Sequence, residues 1–371
     1  SGFQVITAKA VIDATDRALA ARKTAATFRE LPAGTYSFRR TVVGGEAVEI
    51  GGAAVKELPG IVRIEDREYT ALEYQLPLEL ADASAASFNA VEVRARLLTW
   101  HPDQMLASDR LFALLPDRLD TGAQQTALGD GLDLAACQCG KERLFVLGAN
   151  ADVTDDVAAE LMKPCNLMAA GKQMGTCVAA MAADVSIGAV QVDYDDLPTS
   201  PLEVCRKDRY FRLNGSGIEL DLNRVATLGE FDVVIAGGGT AGAPAGIAAG
   251  RAGAEAVILE FQPGLGGIGT EGRISSYYHG NRCGFTTEMD EAIYRMGPNP
   301  EFPVDRGRWN TEWKRQWYLR EADKAGTRVW FGSLNVAAAV EDKAVCGILT
   351  ATPYGCGLVK SKGNVDDKGG T

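Results

Sequence analysis

Asp232-Val-Val-Ile-Ala236 runs directly into Gly237-Gly-Gly-Thr-Ala-Gly242, and no other stretch constrains this chain so tightly. Four consecutive apolar residues, mostly β-branched, predict a buried strand. The spacing Gly237-x-Gly239-x-x-Gly242, extended by Gly246, predicts a tight turn opening a helix of small residues over Ala243–Arg251. Ala256-Val-Ile-Leu-Glu260 follows as a second strand. A βαβ unit of about thirty residues is the length of a mononucleotide-binding half. Each glycine has a physical task there. Gly237 permits the turn, Gly239 lets main chain approach a pyrophosphate, and Gly242 lets helix and strand pack closely. The helix start presents unpaired N–H groups and partial positive charge to phosphate, with Thr240 and Ala241 inside the turn. Glu260 is placed to accept hydrogen bonds from a ribose diol. The bland alternative, a ligand-free glycine turn in an α/β core, would not require the acid.

This turn does not distinguish a nicotinamide from a flavin dinucleotide. Beyond Glu260 and Phe261 lies Pro263-Gly-Leu-Gly-Gly267-Ile-Gly-Thr270-Glu-Gly272-Arg273, a second glycine-dense loop. Gly266, Gly267, Thr270, Gly272 and Arg273 suit a ligand that continues past its adenosine half. Composition agrees. Fourteen of the 42 glycines fall between Gly237 and Gly284, and the total is about 11% of the chain against a usual ~7%. A net charge of −11 argues against a nucleic-acid or anionic-membrane binder, either of which needs a basic surface. No run reaches the ~18 apolar residues of a membrane span, and no charged-then-apolar leader opens the chain. Eight cysteines and two histidines are too few for a disulfide framework or a multi-histidine metal centre, so no metal is expected.

Asp232–Gly246, Gly264–Gly272, Tyr277-Tyr-His-Gly-Asn-Arg-Cys-Gly-Phe285 and Trp309-Asn…Leu319-Arg-Glu-Ala-Asp-Lys-Ala-Gly326 resemble the FAD-dependent oxidoreductases of the glutathione-reductase-like superfamily, within a subgroup of large bacterial flavoproteins. The resemblance covers residues 229 to about 362. It implies FAD as cofactor, with the main chain of Val336 beside adenine. The first two hundred residues resemble a different part of the same family. Ala8–Arg22 is similar to a strand-and-turn segment written VIDATG, with Asp16 where the family has glycine. Phe145–Asp152 and the helix Asn166–Ala183 are similar to the last cofactor-binding strand and helix, whose N-terminus faces the flavin.

The family's rear portion therefore comes first and its front portion second. Leu358–Asp367 is moreover a blurred copy of Gln4–Asp13. Two accounts fit: a segment of a tandem flavoprotein, joining the back of one module to the front of the next, or a permuted chain whose halves build one site. The duplicated strand favours the tandem account. The expected divisions are a flavin-domain segment (1–33), a β-rich substrate or cap region (34–145), a flavin-domain strand and helix (146–190), a linker (191–230) and a Rossmann-like FAD-binding domain (231–371). The fold class is thus α/β with a mixed, β-rich cap. Within these divisions an alanine-rich helix is expected from Arg17 and another over Leu167–Val185. An edge strand is expected at Ile218–Leu222.

The expected reaction is hydride transfer from an organic small-molecule substrate to flavin. The alternatives are a degenerate, cofactor-bound module acting as a scaffold in a larger assembly, and an NAD-linked dehydrogenase. His279, Arg282 and Tyr278, just past the second glycine loop, are the catalytic candidates. A histidine titrating near neutrality can exchange a proton, and an arginine can hold a carboxylate or oxyanion. The plain alternative is that this loop packs on the cofactor without reacting. His101 reads as structural, and Trp309, Trp313 and Trp317, four residues apart, as a core stripe. A complementing chain or a homo-oligomer is the further partner expected, and the cytoplasm is the default location.

Overall fold

The computed structural model describes residues 8–64, 66–129, 131–140, 143–186, 203–204, 225–279, 282–297, 307–341 and 344–366. The edge strand expected at 218–222 lies outside them. Strand β1 (Val11–Asp13) is followed by β2 (Gly34–Val43), β3 (Ala54–Glu57), β4 (Val62–Ile64), β5 (Arg67–Tyr69), β6 (Ala71–Leu80), helix α1 (Ala85–Leu98) and β7 (Leu106–Ala107). Then come α2 (Leu134–Cys137), β8 (Leu144–Val146), α3 (Asp155–Leu161) and α4 (Pro164–Ala182).

No helix forms over 17–22 beyond a single 3-10 turn at Ala21–Lys23. The Asp13 carboxylate captures the local donors instead: the Thr15 amide and hydroxyl bond one oxygen, and the Ala21 amide the other at 2.9 Å. Ala18 also sits at φ +50°, which a right-handed helix does not permit. β1 and β8 pair in parallel, Val11 opposite Leu144 and Asp13 opposite Val146. They form a sheet of their own, packed with α3 and α4 around Phe145, Val157, Leu161 and Met174.

Within residues 34–145, β2 and β6 pair antiparallel over ten residues inside a four-stranded sheet ordered β3-β6-β2-β7. Alternate residues Leu72, Tyr74, Leu76, Leu78 and Leu80 are buried, the period-two pattern of a sheet with one covered face. The cover is α1, a helix that the sequence pattern did not reveal. It opens on Ser84, whose hydroxyl accepts from the Ser87 amide at 3.2 Å. Phe88, Val91 and Ala95 pack on the four-stranded sheet, while Ala85 joins a second cluster described next.

The C-terminal unit comprises β9 (Glu203–Val204), β10 (Thr227–Ala236), α5 (Gly242–Arg251), β11 (Ala256–Glu260), α6 (Phe285–Tyr294), α7 (Thr311–Lys324), β12 (Arg328–Phe331), β13 (Leu334–Glu341), β14 (Ala344–Thr352) and β15 (Gly355–Asp366). Its seven strands are ordered β12-β11-β10-β15-β14-β13-β9. The first four run parallel and the rest form an antiparallel meander. One face carries Ile235, Ile258, Val329 and Phe331 against α5, α6 and the Trp309–Trp313–Trp317 stripe. The other carries Val234, Ala236, Val257, Leu259 and Trp330 against Ala85 of α1. The Phe331 amide donates to the Asn89 side chain of α1 at 3.1 Å. Helix α1 is therefore buried between two sheets.

Two glycines make opposite demands. A Cβ on Gly246 of α5 would lie 2.5 Å from Ile258 on β11, whereas one on Gly175, inside α4, would meet nothing within 4 Å. Gly246→Ala is expected to lower stability by about 1–3 kcal/mol through overpacking. Gly175→Ala is expected to raise it by about 0.5–1 kcal/mol through helix propensity. Urea unfolding midpoints of the two variants, moving in opposite directions, check this.

Candidate dinucleotide site

The turn after β10 is built as its glycines require. Gly237 sits at φ +107° and its amide donates to the Leu259 carbonyl at 2.9 Å. Gly238 is enclosed, since a Cβ there would come within 2.5 Å of Leu265 and 2.9 Å of Ile258. Its amide donates to the Glu260 carboxylate at 2.5 Å, and the Gln262 amide donates to the same group at 2.6 Å. Glu260, 9% exposed at the end of β11, is thereby held at the lip of the turn.

The second glycine loop lies directly on the first. Gly266, at φ +103°, donates to the Gly238 carbonyl at 2.8 Å. A Cβ on Gly267 would reach 3.0 Å from the Gly239 Cα and 3.3 Å from the Thr240 nitrogen. Thr270 is buried and its hydroxyl donates to the Leu265 carbonyl at 2.7 Å, pinning the loop. Gly272 closes it against Ile268. Arg273, at φ +60°, bonds Glu312 at 3.0 Å. Phe261 is largely exposed beside the loop.

The start of α5 faces outward. Gly239 accepts from the Ala243 amide at 3.1 Å, and Pro244 removes one donor from the first turn. Among the described residues nothing accepts from the amides of Gly239, Thr240 and Ala241. Thr240 and Ala241 are exposed and Gly239 half-buried, so these donors are left for solvent or a ligand. That is the arrangement a bound diphosphate needs, and an acid beside it suits a ribose diol. Gly242 is buried as the first helical residue. Val336 falls where the register of β13 against β14 shifts between Asn335 and Ala337, so it lies within a bulge.

His279, Tyr278 and Arg282, the catalytic candidates, lie ahead of α6 rather than on the glycine turn itself. Tyr278 and His279 are exposed on the loop before α6, and Arg282 lies 3.8 Å from Asp290. His101 caps its own loop, accepting from the Asp103 amide at 3.1 Å. Asp16 pairs with Arg110 at 2.9 Å. Among the described residues no group of three or more metal-ligating side chains forms, and no helix is long and apolar enough to cross a membrane.

A cluster beneath the second loop escaped the sequence reading. Lys314 of α7 is 3% exposed, with Nζ 3.7 Å from the centre of the Trp309 ring and 5.5 Å from that of Tyr277. The Tyr277 hydroxyl donates to Asp290 at 3.3 Å. Burial pushes the Asp290 carboxyl and the Tyr277 hydroxyl upward. Burial likewise pushes Lys314 down to about 8, with Asp290 opposing the shift. The only sequence signal was a lysine set inside the tryptophan stripe.

A lysine whose folded pKa is depressed binds fewer protons in the native than in the unfolded chain between about pH 8 and 10.5. Native stability gains from this group as pH rises through that window, by roughly 3 kcal/mol in full. Lys314→Met is expected to lose that gain. Thermal midpoints of the two proteins from about pH 7.5 to 9.5, below the tyrosine range, check the difference in slope.

The fold and turn define a dinucleotide-binding βαβ unit. Residues 232–365 match the family model described as FAD dependent oxidoreductase. Solved structures similar to the chain include THI4 of Thermovibrio ammonificans, at 22% identity and TM-score 0.30, over 38% of this chain and 58% of that one. A geranylgeranyl bacteriochlorophyll reductase-like protein of Thermoplasma acidophilum is similar at 20% identity and TM-score 0.28, over 37% and 38%. The 3-ketosteroid-delta4-(5alpha)-dehydrogenase of Rhodococcus jostii RHA1 is similar at 19% identity and TM-score 0.28, over 38% and 46%. The chain spans less than two thirds of each of these proteins. A comparison with curated proteins finds no match.

Proposed function

We propose that this chain serves an FAD-dependent oxidoreductase that takes a hydride from an organic small molecule. The observation that carries the reading is the set of outward amides at Gly239, Thr240 and Ala241 beside the anchored Glu260. In it, Gly237–Gly242 hold the diphosphate and Glu260 the adenosine ribose. Gly266, Gly267, Thr270, Gly272 and Arg273, with Phe261 at the edge, line the continuing chain of the cofactor. The bulged main chain at Val336 meets adenine. When bound, the flavin supplies the two-electron chemistry. The protein's part is position, charge and proton handling. His279 exchanges a proton with the substrate, Arg282 orients an anionic substrate group, and Tyr278 borders it. Lys314, a buried cation under the second loop, adds positive charge near the site.

The chain in this reading joins the rear of one flavin module to the front of the next. What supports it is that the two copies of the duplicated strand sit in separate sheets: β1 beside β8, and Gly363–Asp366 of β15 beside β10. The cap region of residues 34–145, closed over the dinucleotide unit through α1, is the part that would face substrate.

Purified protein is expected to be yellow, with absorption near 450 nm and FAD released on denaturation, as oxidised flavin chemistry dictates. Gly239→Val is expected to cut bound FAD at least about tenfold while circular dichroism stays native, because a side chain fills the diphosphate approach. Colourless protein, or release of a nicotinamide dinucleotide identified by mass spectrometry, would refute the flavin assignment.

A further inference from the structure

Where β2 and α1 meet α7 and the loop at 263–265, the structure leaves a partly open cavity of about 20 Å³. That is room for one water-sized occupant, and too little for a carboxylate or phosphate. Its wall is polar and unevenly charged. Arg40 enters from β2, is 4% exposed and, among the described residues, has no carboxylate at ion-pair distance. Its Nε donates to the Thr99 hydroxyl at 3.1 Å and its Nη1 to the Ser108 carbonyl at 3.0 Å, neither of which balances charge. The arginines around it are already matched. Arg96 pairs with Glu92 at 3.3 Å, while Arg273 and Arg315 share Glu312 and Glu271 at 2.8 to 3.1 Å. Glu312 also lines the cavity, but both its oxygens are taken by those two arginines. Asp109, exposed to solvent, is the remaining acid nearby. One buried positive charge is left over.

Hydrogen bonding at the wall shows the same imbalance. Among the described residues Arg96 Nε, Trp100 Nε1 and Gln316 Nε2 are buried donors without an acceptor, and the orphan acceptor beside them is Gln104 Oε1. Arg96, Gln104 and Gln316 are each more than nine-tenths buried. Turning the Gln104 amide over, which its two ends permit, makes a fourth donor. A water would satisfy some of these donors and none of the charge. Buried donors and a buried cation without partners each cost several kcal/mol unless something is bound to them.

We propose that this cavity is a halide site, holding chloride as acceptor for Arg96, Trp100 and Gln316 and as counter-ion to Arg40. Its wall belongs to two units: Arg40, Arg96, Trp100 and Gln104 come from the β-rich region, and Gln316 and Glu312 from the dinucleotide unit. The ion therefore fastens one to the other, next to Pro263, whose carbonyl accepts from Arg96. The inference does not depend on which cofactor the glycine turn holds.

Crystals of the full chain grown without halide and soaked in sodium bromide test it at the bromine absorption edge. An anomalous peak within hydrogen-bonding distance of the Arg96, Trp100 and Gln316 nitrogens is the expected result. A cavity holding water only, or bromide only elsewhere on the surface, overturns the proposal. In solution, replacing gluconate by chloride at constant ionic strength is expected to raise the thermal midpoint by about 2 °C or more, since a ligand bound to the native state alone stabilises it. Gln316→Leu, which keeps the packing volume, should abolish that increment, with Arg40→Met as a second variant. An increment that persists unchanged in folded Gln316→Leu protein overturns the assignment.

Discussion

The contact of one stretch of bare main chain with another organises the candidate site. Gly266 bonds Gly238, Gly267 lies against Gly239, and Glu260 is held by the Gly238 amide. No side chain fits between the two loops, so the amides at the start of α5 remain uncovered. The parallel strands β10 and β11 set the height of that platform, and α5 sets its direction. Replacing any of the enclosed glycines would move the loops apart before it altered any charge.

The rest of the molecule buttresses that platform. Helices α5, α6 and α7 cover one face of the seven-stranded sheet with a tryptophan-rich core, and α1 covers the other while also closing the cap sheet. Ion pairs among Arg273, Arg315, Glu271 and Glu312 tie the second loop to α7. Burial on both faces explains the strongly apolar β11, all five residues of which are buried.

Legibility followed period and locality. The βαβ unit could be read because its signals lie within thirty residues and each has a steric cause. The strands of the cap could be read from alternation. Helix α1 could not, because it is buried toward two sheets and shows no single apolar stripe. The helix expected from Arg17 failed because one carboxylate, Asp13, bonds the donors a helix would have used. Lys314 reads in sequence as a solvated lysine, and only the fold places it against Trp309 and Tyr277. The cavity at Arg40 was beyond sequence reasoning altogether, since its wall draws on residues 40, 96, 104 and 316.

Strand β15 has a consequence for how the molecule comes into being. Its first half pairs with β14, and from Leu358 to Asp366 it pairs with β10, whose residues precede it by about 130 positions. As the chain leaves the ribosome, β10, α5 and β11 can assemble early, but one edge of β10 stays bare until β15 emerges. The sheet carrying the glycine turn is thus completed only about 130 residues after β10 has emerged, a slow, non-local closure. Until then that open edge invites pairing with neighbouring nascent chains, which makes this strand the natural customer for a chaperone.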